Sequence, residues 1–576
     1  MQRICKFSSG IQINKTMRQI SILFFCFLFL FQSKIQGQNF TQSDTLRGSI
    51  TPERAWWDLQ HYDLEVTLLI NNKSLVGKNT ISYRALTAYD TKDTAERSSL
   101  DTKSALMQID LQGPMKIDSV LQNGQRLSFT NQGPAHFIEL IQKHELDKIY
   151  QVTCYFSGAP IVAQNPPWDG GFTWDSDDLG RPFIANANQG IGASVWWPNK
   201  DHPYDEPDRG VDLKITLPKP LVAVGNGRLI EQKELNETQH RFHWRVNAPI
   251  NNYGVNINVG HYLRFSEQYT GLDGPLDCTY WVLDYNLAQA KAQFKQVPDM
   301  LEAFEYWFGP YPFYEDGYQL VEVPYLGMEH QSSVTYGNGY RNGYRGTDLS
   351  SSGWGMTFDF IIIHESGHEW FANNITNNDV ADMWIHEGFT AYSENLFLDY
   401  FHGKEASSAY VIGTKKRILN DRPLIGTYEV NHEGSSDMYY KGANILHTLR
   451  QLIEDDQKWR QILIGLNREF RHQTVSSQQV EEYITQASEI DLAEFWDQYL
   501  RTPNLPKLNY TLKNNELKYK YSQIIDGFDM PVRVNINGEM IWLYPSPEWK
   551  THTADQPIET FAIDQNFLVL EGADSQ

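Results

Sequence analysis

Apolar and polar positions alternate along the first half of the chain. Between about residues 45 and 264, short runs such as 62–69, 214–217 and 253–259 follow this pattern and are separated by turn residues. Successive side chains of a β-strand point to opposite faces, so a period of two is typical of strands with one buried face. The pattern predicts an N-terminal β-domain over residues 45–264.

The repeat changes to a helical one further along the chain. In residues 285–308 the apolar positions recur at helical spacing, and helix-length segments continue to about residue 500. Such spacing brings the apolar side chains onto one face of a helix. We therefore expect a mainly helical domain over residues 265–505.

Alternation returns after residue 506. Apolar runs flank Asn514-Asn515 and, further on, Asn537-Gly538. Asn and Gly between two alternating runs are typical of tight hairpin turns. The tail, 506–576, is therefore predicted to form a small β-sandwich. The fold class expected for the whole chain is multidomain α+β.

The first 37 residues have the composition of a signal peptide. Basic residues precede a twelve-residue apolar run, 20–31, and a polar stretch ends near Gly37. The run is shorter than the roughly 20 residues that span a bilayer, and no second apolar stretch of spanning length follows it. We expect a signal peptide over 1–37, export to the periplasm or the medium, and no stable membrane span in the mature chain. A retained single-pass anchor is the alternative.

Charge and cysteine content narrow the function classes further. The chain has 49 Lys and Arg against 71 Asp and Glu, and five of the basic residues lie within 1–37. So acidic a protein repels nucleic acid, and we expect no nucleic-acid partner. Only Cys154 and Cys278 lie beyond the predicted signal peptide, which excludes a disulfide framework and a cysteine-based zinc site. A metal would need His and carboxylate ligands.

Those ligand types occur together after an apolar stretch of three isoleucines. His364-Glu365-Ser-Gly-His368 places two imidazoles one helical turn apart, where both can bind one tetrahedral zinc ion. Glu365 lies beside them and could deprotonate a water molecule. The alternative is a helix with two ordinary surface histidines, but the isoleucines indicate a buried helix, where unpartnered histidines would be costly.

A catalytic zinc needs a third protein ligand, and Glu387 follows His368 after eighteen intervening residues. With Trp370 just after the first motif and Trp384 three residues before Glu387, this spacing resembles the aminopeptidase N family of gluzincin metallo-aminopeptidases. The resemblance implies a thermolysin-like catalytic domain with one Zn²⁺ per chain.

The resemblance also implies a role for a second glutamate on the helix expected over 380–400. Glu394 matches a family glutamate that supports a ligand histidine. A plain position on the surface of an amphipathic helix is the alternative.

The segment Leu326-Gly327-Met328-Glu329-His330 resembles the family's Gly-Ala-Met-Glu-Asn exopeptidase motif. By this resemblance Glu329 pairs with the α-ammonium group of the substrate, and Gly327 and Met328 line the substrate beside it. A fixed carboxylate near the metal would register the chain end against the first peptide bond. Leu326, Gly327 and His330 depart from the family's residues at their positions.

Two more residues are carried over from the family. Met438-Tyr439-Tyr440-Lys441-Gly442 is similar to the family's Tyr-x-Lys-Gly segment and makes Tyr439 the expected oxyanion donor, with a buried core tyrosine as the alternative. The stretch from Gln189 to Pro203 is similar to a family segment ending in Pro-x-x-Asp-x-Pro. It puts Gln189 in the amine pocket, although Gln189 could equally cap a turn.

The resemblance covers nearly the whole chain beyond the predicted signal peptide and is to the three-domain form that lacks a C-terminal helical domain. It implies a zinc-dependent aminopeptidase that cleaves the N-terminal peptide bond of peptides with a metal-activated water. Two alternatives stay open at this point: a zinc endopeptidase that uses the same site without recognising a chain end, and a noncatalytic binding protein that retains the fold.

Overall fold

The computed structural model of the protein describes residues 40–88 and 106–573. The predicted signal peptide, 1–37, lies outside the described residues, so its cleavage and its role in export stay predictions. None of the helices in the described part of the chain combines the length and the apolar character that crossing a bilayer requires.

The strands before residue 261 form three sheets. The largest has eight strands in the order β13-β14-β11-β1-β2-β8-β4-β5. The strands of this part are β1 Trp57–Leu69, β2 Ser74–Ala85, β3 Leu106–Asp110, β4 Lys116–Gln122, β5 Gln125–Leu127, β6 Phe129–Gln132, β7 Ala135–Glu139, β8 Ile149–Gly158, β9 Gly171–Ser176, β10 Pro182–Ala187, β11 Val211–Pro218, β12 Val222–Val224, β13 Arg228–Glu234, β14 Gln239–Val246 and β15 Asn258–Gly260.

The alternation that predicted these strands is clear in β1. Leu59, Tyr62, Leu64, Val66 and Leu68 are buried, while most residues between them are partly exposed. One face of the strand thus packs into the core and the other meets solvent, as the period of two requires. β1 pairs antiparallel with β2 and parallel with β11.

A five-stranded mixed sheet follows, in the order β16-β17-β18-β20-β19. Its strands are β16 Tyr262–Gly271, β17 Gly274–Leu283, β18 Tyr318–Glu322, β19 Gly327–Met328 and β20 Val334–Tyr336. The edge strand β19 consists of two residues of the exopeptidase motif, and it pairs only with β20 among the described strands. Its other edge is therefore available to an extended ligand.

Helices are the main regular elements between residues 287 and 501. In chain order the helices of the described residues are α1 Gln42–Gly48, α2 Pro52–Ala55, α3 Leu287–Gln293, α4 Gln296–Phe308, α5 Phe360–Gly367, α6 Trp384–His402, α7 Lys404–Thr414, α8 Tyr440–Ile453, α9 Asp456–Glu469, α10 Ser477–Ser488 and α11 Ala493–Arg501. Between α9 and α10, the short strand β22 Gln473–Val475 pairs with β21 Ile375–Asn377.

Helix α6 lies at the centre of this part. Every residue from its start at Trp384 to Leu398 is buried, which explains why its sequence lacks a polar face. It crosses α8 where two glycines meet: a Cβ on Gly442 would lie 2.8 Å from the Cα of Gly388. Only glycine permits this approach, which brings the backbones of the two helices together.

The chain after residue 506 folds as two small sheets, β27-β24-β23-β29 and β26-β25-β28. Their strands are β23 Lys507–Lys513, β24 Glu516–Ser522, β25 Val532–Ile536, β26 Glu539–Leu543, β27 Lys550–Thr553, β28 Phe561–Ile563 and β29 Leu570–Ala573. Both predicted hairpins are confirmed. Asn514 and Asn537 take left-handed φ angles of 54° and 51° in the turns, a conformation that Asn tolerates well.

The mixed α and β character expected from the sequence is confirmed. Side chains of these two small sheets, including Leu508, Leu517 and Val532, belong to the same continuous apolar core as α5 and α6. Helices α5 and α6 and the two small sheets therefore share one apolar core.

Candidate active site

Helix α5 begins at a side-chain cap. The carboxylate of Asp359 accepts hydrogen bonds from the backbone N–H of Ile361 and Ile362, at 3.1 and 3.4 Å, which satisfies donors that have no partner within the helix. The buried isoleucines then fix the helix in the core. Helix α5 ends at Gly367, and His368 follows with near-helical angles, φ −64° and ψ −17°.

Because the helical path continues through His368, both histidines project to the same side. The ring centroids of His364 and His368 lie 5.0 Å apart. Glu387, in the first turn of α6, faces them: its Oε2 lies 3.4 Å from Nε2 of His368 and 3.8 Å from Nε2 of His364. All three side chains are buried.

These three side chains fit a zinc ion. Their ligand atoms lie within 4.8 Å of one another, and Oε2 of Glu387 is buried without a hydrogen-bond donor among the described residues. A buried carboxylate oxygen without a donor is costly unless a cation satisfies it. Two imidazoles and one carboxylate are also a ligand set of catalytic zinc sites.

The other ring nitrogen of each histidine, Nδ1, forms a hydrogen bond with a protein acceptor. Nδ1 of His364 donates to Oε1 of Glu394 at 2.8 Å, and Nδ1 of His368 donates to the carbonyl oxygen of Phe371 at 3.0 Å. The hydroxyl of Tyr410 donates to the other oxygen of Glu394. These bonds leave both Nε2 atoms as acceptors that point at Glu387, the arrangement that a metal requires.

Glu365 lies between the triad and the exopeptidase motif. Atoms of Glu329, Glu365 and His368 come within 4.8 Å of one another. Burial raises the pKa of Glu365 to about 7, although the nearby His364 opposes that rise. A carboxylate with a pKa near neutrality can both accept and return a proton.

Glu329 is buried and receives two hydrogen bonds at one oxygen. The amide of Gln189 donates to Oε1 of Glu329 at 2.9 Å and also to Oε1 of Glu387 at 3.0 Å. The hydroxyl of Tyr253 donates to the same oxygen of Glu329 at 3.1 Å. The structure thus places Gln189 beside the triad and adds Tyr253, which no motif indicated.

Gly327 sits where its strand passes closest to α5. A Cβ at this position would lie 2.7 Å from Cγ2 of Ile361 and 3.1 Å from Cγ of Glu365. A side chain here would push β19 away from Glu365. Gly327, Met328 and Glu329 line a cavity together with the triad, and His330, at the position where the family has Asn, is buried.

Tyr439 and Tyr440 also line the cavity. The ring of Tyr439 stacks on His364 with 6.0 Å between centroids and 23° between planes. Burial, then the charges of Glu387 and Glu329, raise the pKa of Tyr439 well above its ordinary value. Tyr439 therefore keeps its proton at neutral pH and can donate a hydrogen bond.

Residues 292–499 match the domain described as peptidase family M1. This segment is a peptidase family M1 domain. The family resemblance drawn from the motifs is thereby confirmed, and the M1 domain contains both histidines of the triad, Glu387 and Tyr439, whereas Gln189 and Tyr253 precede it.

Curated proteins that are similar to this chain share a low sequence identity with it. Leukotriene A-4 hydrolase of Xenopus laevis is 24% identical over 330 residues, which are 52% of this chain and 51% of that protein. Endoplasmic reticulum aminopeptidase 1 of Mus musculus is 25% identical over 281 residues, 46% of this chain and 30% of that protein. Aminopeptidase B of Mus musculus is 22% identical over 352 residues, 57% and 50% respectively. The chain spans about half or less of the length of these relatives.

Solved structures show the fold more completely. The M1 zinc metallopeptidase from Deinococcus radiodurans superimposes with a TM-score of 0.64 at 20% identity, over 79% of this chain and 95% of that one. A point mutant of the same peptidase, bound to a Tyr-Ser-Ala substrate, has a TM-score of 0.65 at 21% identity and covers 79% and 96%. The multidomain fold is thus shared well beyond the M1 domain.

One cavity of about 550 Å³ contains the triad of the M1 domain. Several of its lining residues were missed by sequence reasoning because they lie outside every motif. These are Pro167, Trp168, Tyr344, Phe360, Arg417, Glu433 and Ser436. Their residue types give no signal of their own, since loops that are distant in sequence bring them together.

Proposed function

We propose that the protein is a zinc-dependent aminopeptidase that hydrolyses the first peptide bond of peptides with a free N-terminus. One observation carries this proposal: His368 belongs to two groups of ligand atoms, each within 4.8 Å. One group is completed by His364 and Glu387, the other by Glu329 and Glu365. A metal triad, a base and an amine-binding carboxylate therefore adjoin one another, as cleavage next to a chain end requires.

His364, His368 and Glu387 would hold one Zn²⁺ per chain. The bound ion supplies Lewis acidity, which lowers the pKa of a water molecule and polarises a carbonyl. Glu394 fixes the ring of His364 and thereby the direction of its Nε2 lone pair.

Glu365 is the general base. Its carboxylate takes a proton from the attacking water and then passes it to the nitrogen of the leaving amine. A pKa of about 7 suits both directions of transfer. Tyr439 donates its phenolic hydrogen to the carbonyl oxygen, on which negative charge develops in the transition state.

Glu329 binds the α-ammonium group of the substrate. Gln189 and Tyr253 both donate to its Oε1, which fixes the carboxylate and leaves Oε2 clear of these two donors. Gly327 and Met328 form the adjoining edge strand, whose free side can take an extended peptide.

The proposal includes the expected domains and location. The β-domain spans 45–264, the thermolysin-like peptidase domain 265–505, and the C-terminal β-sandwich 506–576. Strand β16, Tyr262–Gly271, crosses the first of these boundaries and pairs with the sheet of the peptidase domain. Residues 1–37 direct export to the periplasm or the medium, where the acidic chain meets peptides and not nucleic acid.

Replacement of the general base tests the proposal. Glu365→Gln keeps the shape of the side chain and removes its ability to accept a proton. The purified variant should bind close to one zinc ion per chain, measured by elemental analysis, and lose hydrolysis of alanine p-nitroanilide. Full activity of the variant would overturn the assignment.

The endopeptidase alternative is separated by blocking the substrate. An aminopeptidase must fail on N-acetylated alanine p-nitroanilide and on N-acetylated peptides, because the ammonium group that Glu329 binds is gone. Equal cleavage of free and acetylated peptides would favour an endopeptidase. Zinc binding without cleavage of either would favour a noncatalytic protein.

A further inference from the structure

A single arginine lines the otherwise acidic catalytic cavity. Five glutamates contribute to the wall, while Arg417 is the one Lys or Arg among the described lining residues. Its side chain is exposed. Within the part of the chain that the structure describes, no carboxylate comes within ion-pairing distance of it. A guanidinium without an ion-pair partner can bind an anion that enters the cavity.

The guanidinium is held in place by contacts that leave its outer end free. The Nε–H of Arg417 donates to the carbonyl oxygen of Leu349 at 2.8 Å. The central carbon lies 5.9 Å from the ring centroid of Tyr440. Both Nη groups stay available as a planar pair of donors, the geometry that matches a carboxylate.

Arg417 is connected to the triad through aromatic rings that lead to His364. Its positive charge opposes the rise that burial causes in the pKa of Tyr344 and of Tyr440, so it is within electrostatic reach of both rings. The ring centroids of Tyr344 and Phe360 lie 5.3 Å apart, and those of Phe360 and His364 lie 5.1 Å apart.

The proposed amine site around Glu329 lies next to the other histidine of the triad, His368. Glu329 lies with Glu365 and His368 and is held by Gln189 and Tyr253. None of these residues makes a described contact with Arg417. Glu329 thus lies beside His368, whereas Arg417 is connected through packed rings to His364, so the two opposite charges lie toward different histidines of the triad.

A peptide with free termini has the complementary arrangement of charges. Its ammonium group would meet Glu329, and the portion released by cleavage would extend toward Arg417. We propose that Arg417 is a specificity-determining residue that binds a carboxylate on the leaving portion of the substrate, so that short peptides with a free C-terminus are preferred. This rests on the proposed aminopeptidase function.

The test compares matched substrates that differ in one carboxylate. Ala-Ala-Ala, its C-terminal amide and Ala-Glu-Ala amide are hydrolysed by the zinc-loaded, full-length protein, with longer alanine peptides in parallel. The wild type should cleave the free acid with a KM roughly ten- to a hundredfold below that of the amide, in line with a charge-assisted hydrogen bond. If an acidic side chain is the true ligand, Ala-Glu-Ala amide regains the advantage.

Arg417→Gln should remove most of the difference between acid and amide, while Arg417→Lys, which keeps the charge but not the planar pair of donors, should retain part of it. Lys416→Gln is the matched control. It removes a neighbouring charge whose ammonium group donates to Ser350 and Ser351 and does not line the cavity.

Equal KM values of the wild type for all three substrates, or the same loss in Lys416→Gln as in Arg417→Gln, would overturn the inference. Failure of the proposed function looks different, because then neither the tripeptides nor alanine p-nitroanilide would be cleaved by any variant.

Discussion

At the scale of single residues, two glutamates of the cavity have different pKa values because their surroundings differ, and they therefore suit different chemical roles. Burial raises the pKa of Glu365 to about 7. At Glu387 burial acts in the same direction, but the neighbouring imidazoles of His368 and His364 outweigh it and hold the pKa well below the ordinary value. One carboxyl is therefore suited to exchange a proton and the other to remain an anionic ligand.

The adjacent tyrosines allow a prediction at this scale. Of the two tyrosines, Tyr439 stacks on His364, whereas Tyr440 begins helix α8 and lies under Arg417. Tyr439→Phe should lower kcat for alanine p-nitroanilide roughly 10²- to 10³-fold, because the donor to the developing oxyanion is lost, with a small change in KM. Tyr440→Phe is the control and should lower kcat far less. A reversed order would assign the role to Tyr440.

At the scale of secondary structure, the sequence could predict the ligands better than the elements that carry them. His364 and His368 follow from their spacing of one helical turn, and Glu387 follows from the family resemblance. The close approach of α5 to α6 at Gly367 could not be predicted, since it depends on packing: a Cβ on Gly367 would lie 2.5 Å from Oγ of Ser393 in α6. Spacing is local, whereas such an approach is set by a partner helix.

The contact between α6 and α8 gives a prediction for these elements. Gly442→Ala would put a Cβ 2.8 Å from the Cα of Gly388. The helices must separate, which moves the segments that carry Glu387 and Tyr439. We expect a loss of about 1–3 kcal/mol in the free energy of unfolding, typical of overpacking, together with weaker zinc retention. Urea unfolding and elemental analysis measure the two effects. Unchanged stability would show that the backbones can separate at no cost.

At the scale of the whole molecule, the candidate site joins parts of the chain that are remote in sequence. Gln189 and Glu329 are hydrogen-bonded across 140 positions. The family resemblance could place Gln189, because it lies at a fixed count from a recognisable segment. Tyr253 and Arg417 have no such segment near them, so only the folded chain reveals that Tyr253 contacts Glu329 and that Arg417 lines the cavity.

Glu206 is another contact between these remote parts. It precedes β11, is buried, and accepts a hydrogen bond from the hydroxyl of Thr376 in the M1 domain at 2.7 Å. Burial raises its pKa to about 8, against an ordinary value of 4.5, although Thr376 opposes the rise. The folded protein therefore binds this proton more tightly than the unfolded chain. Its stabilising effect is fully present below pH 4.5 and is lost as the pH rises through 8.

Glu206→Gln should remove this pH dependence, because the amide keeps the shape of the side chain and stays neutral. At pH 5 the variant and the wild type should unfold at similar urea concentrations. At pH 8 the variant should be more stable by on the order of 3 kcal/mol, since the wild type must then ionise a buried carboxyl. Glu237→Gln, at an exposed hairpin position, is the control and should follow the wild type at both pH values. A difference between Glu206→Gln and the wild type that stays constant from pH 5 to pH 8 would mean that Glu206 acts through packing alone and that its proton does not couple the two parts of the molecule.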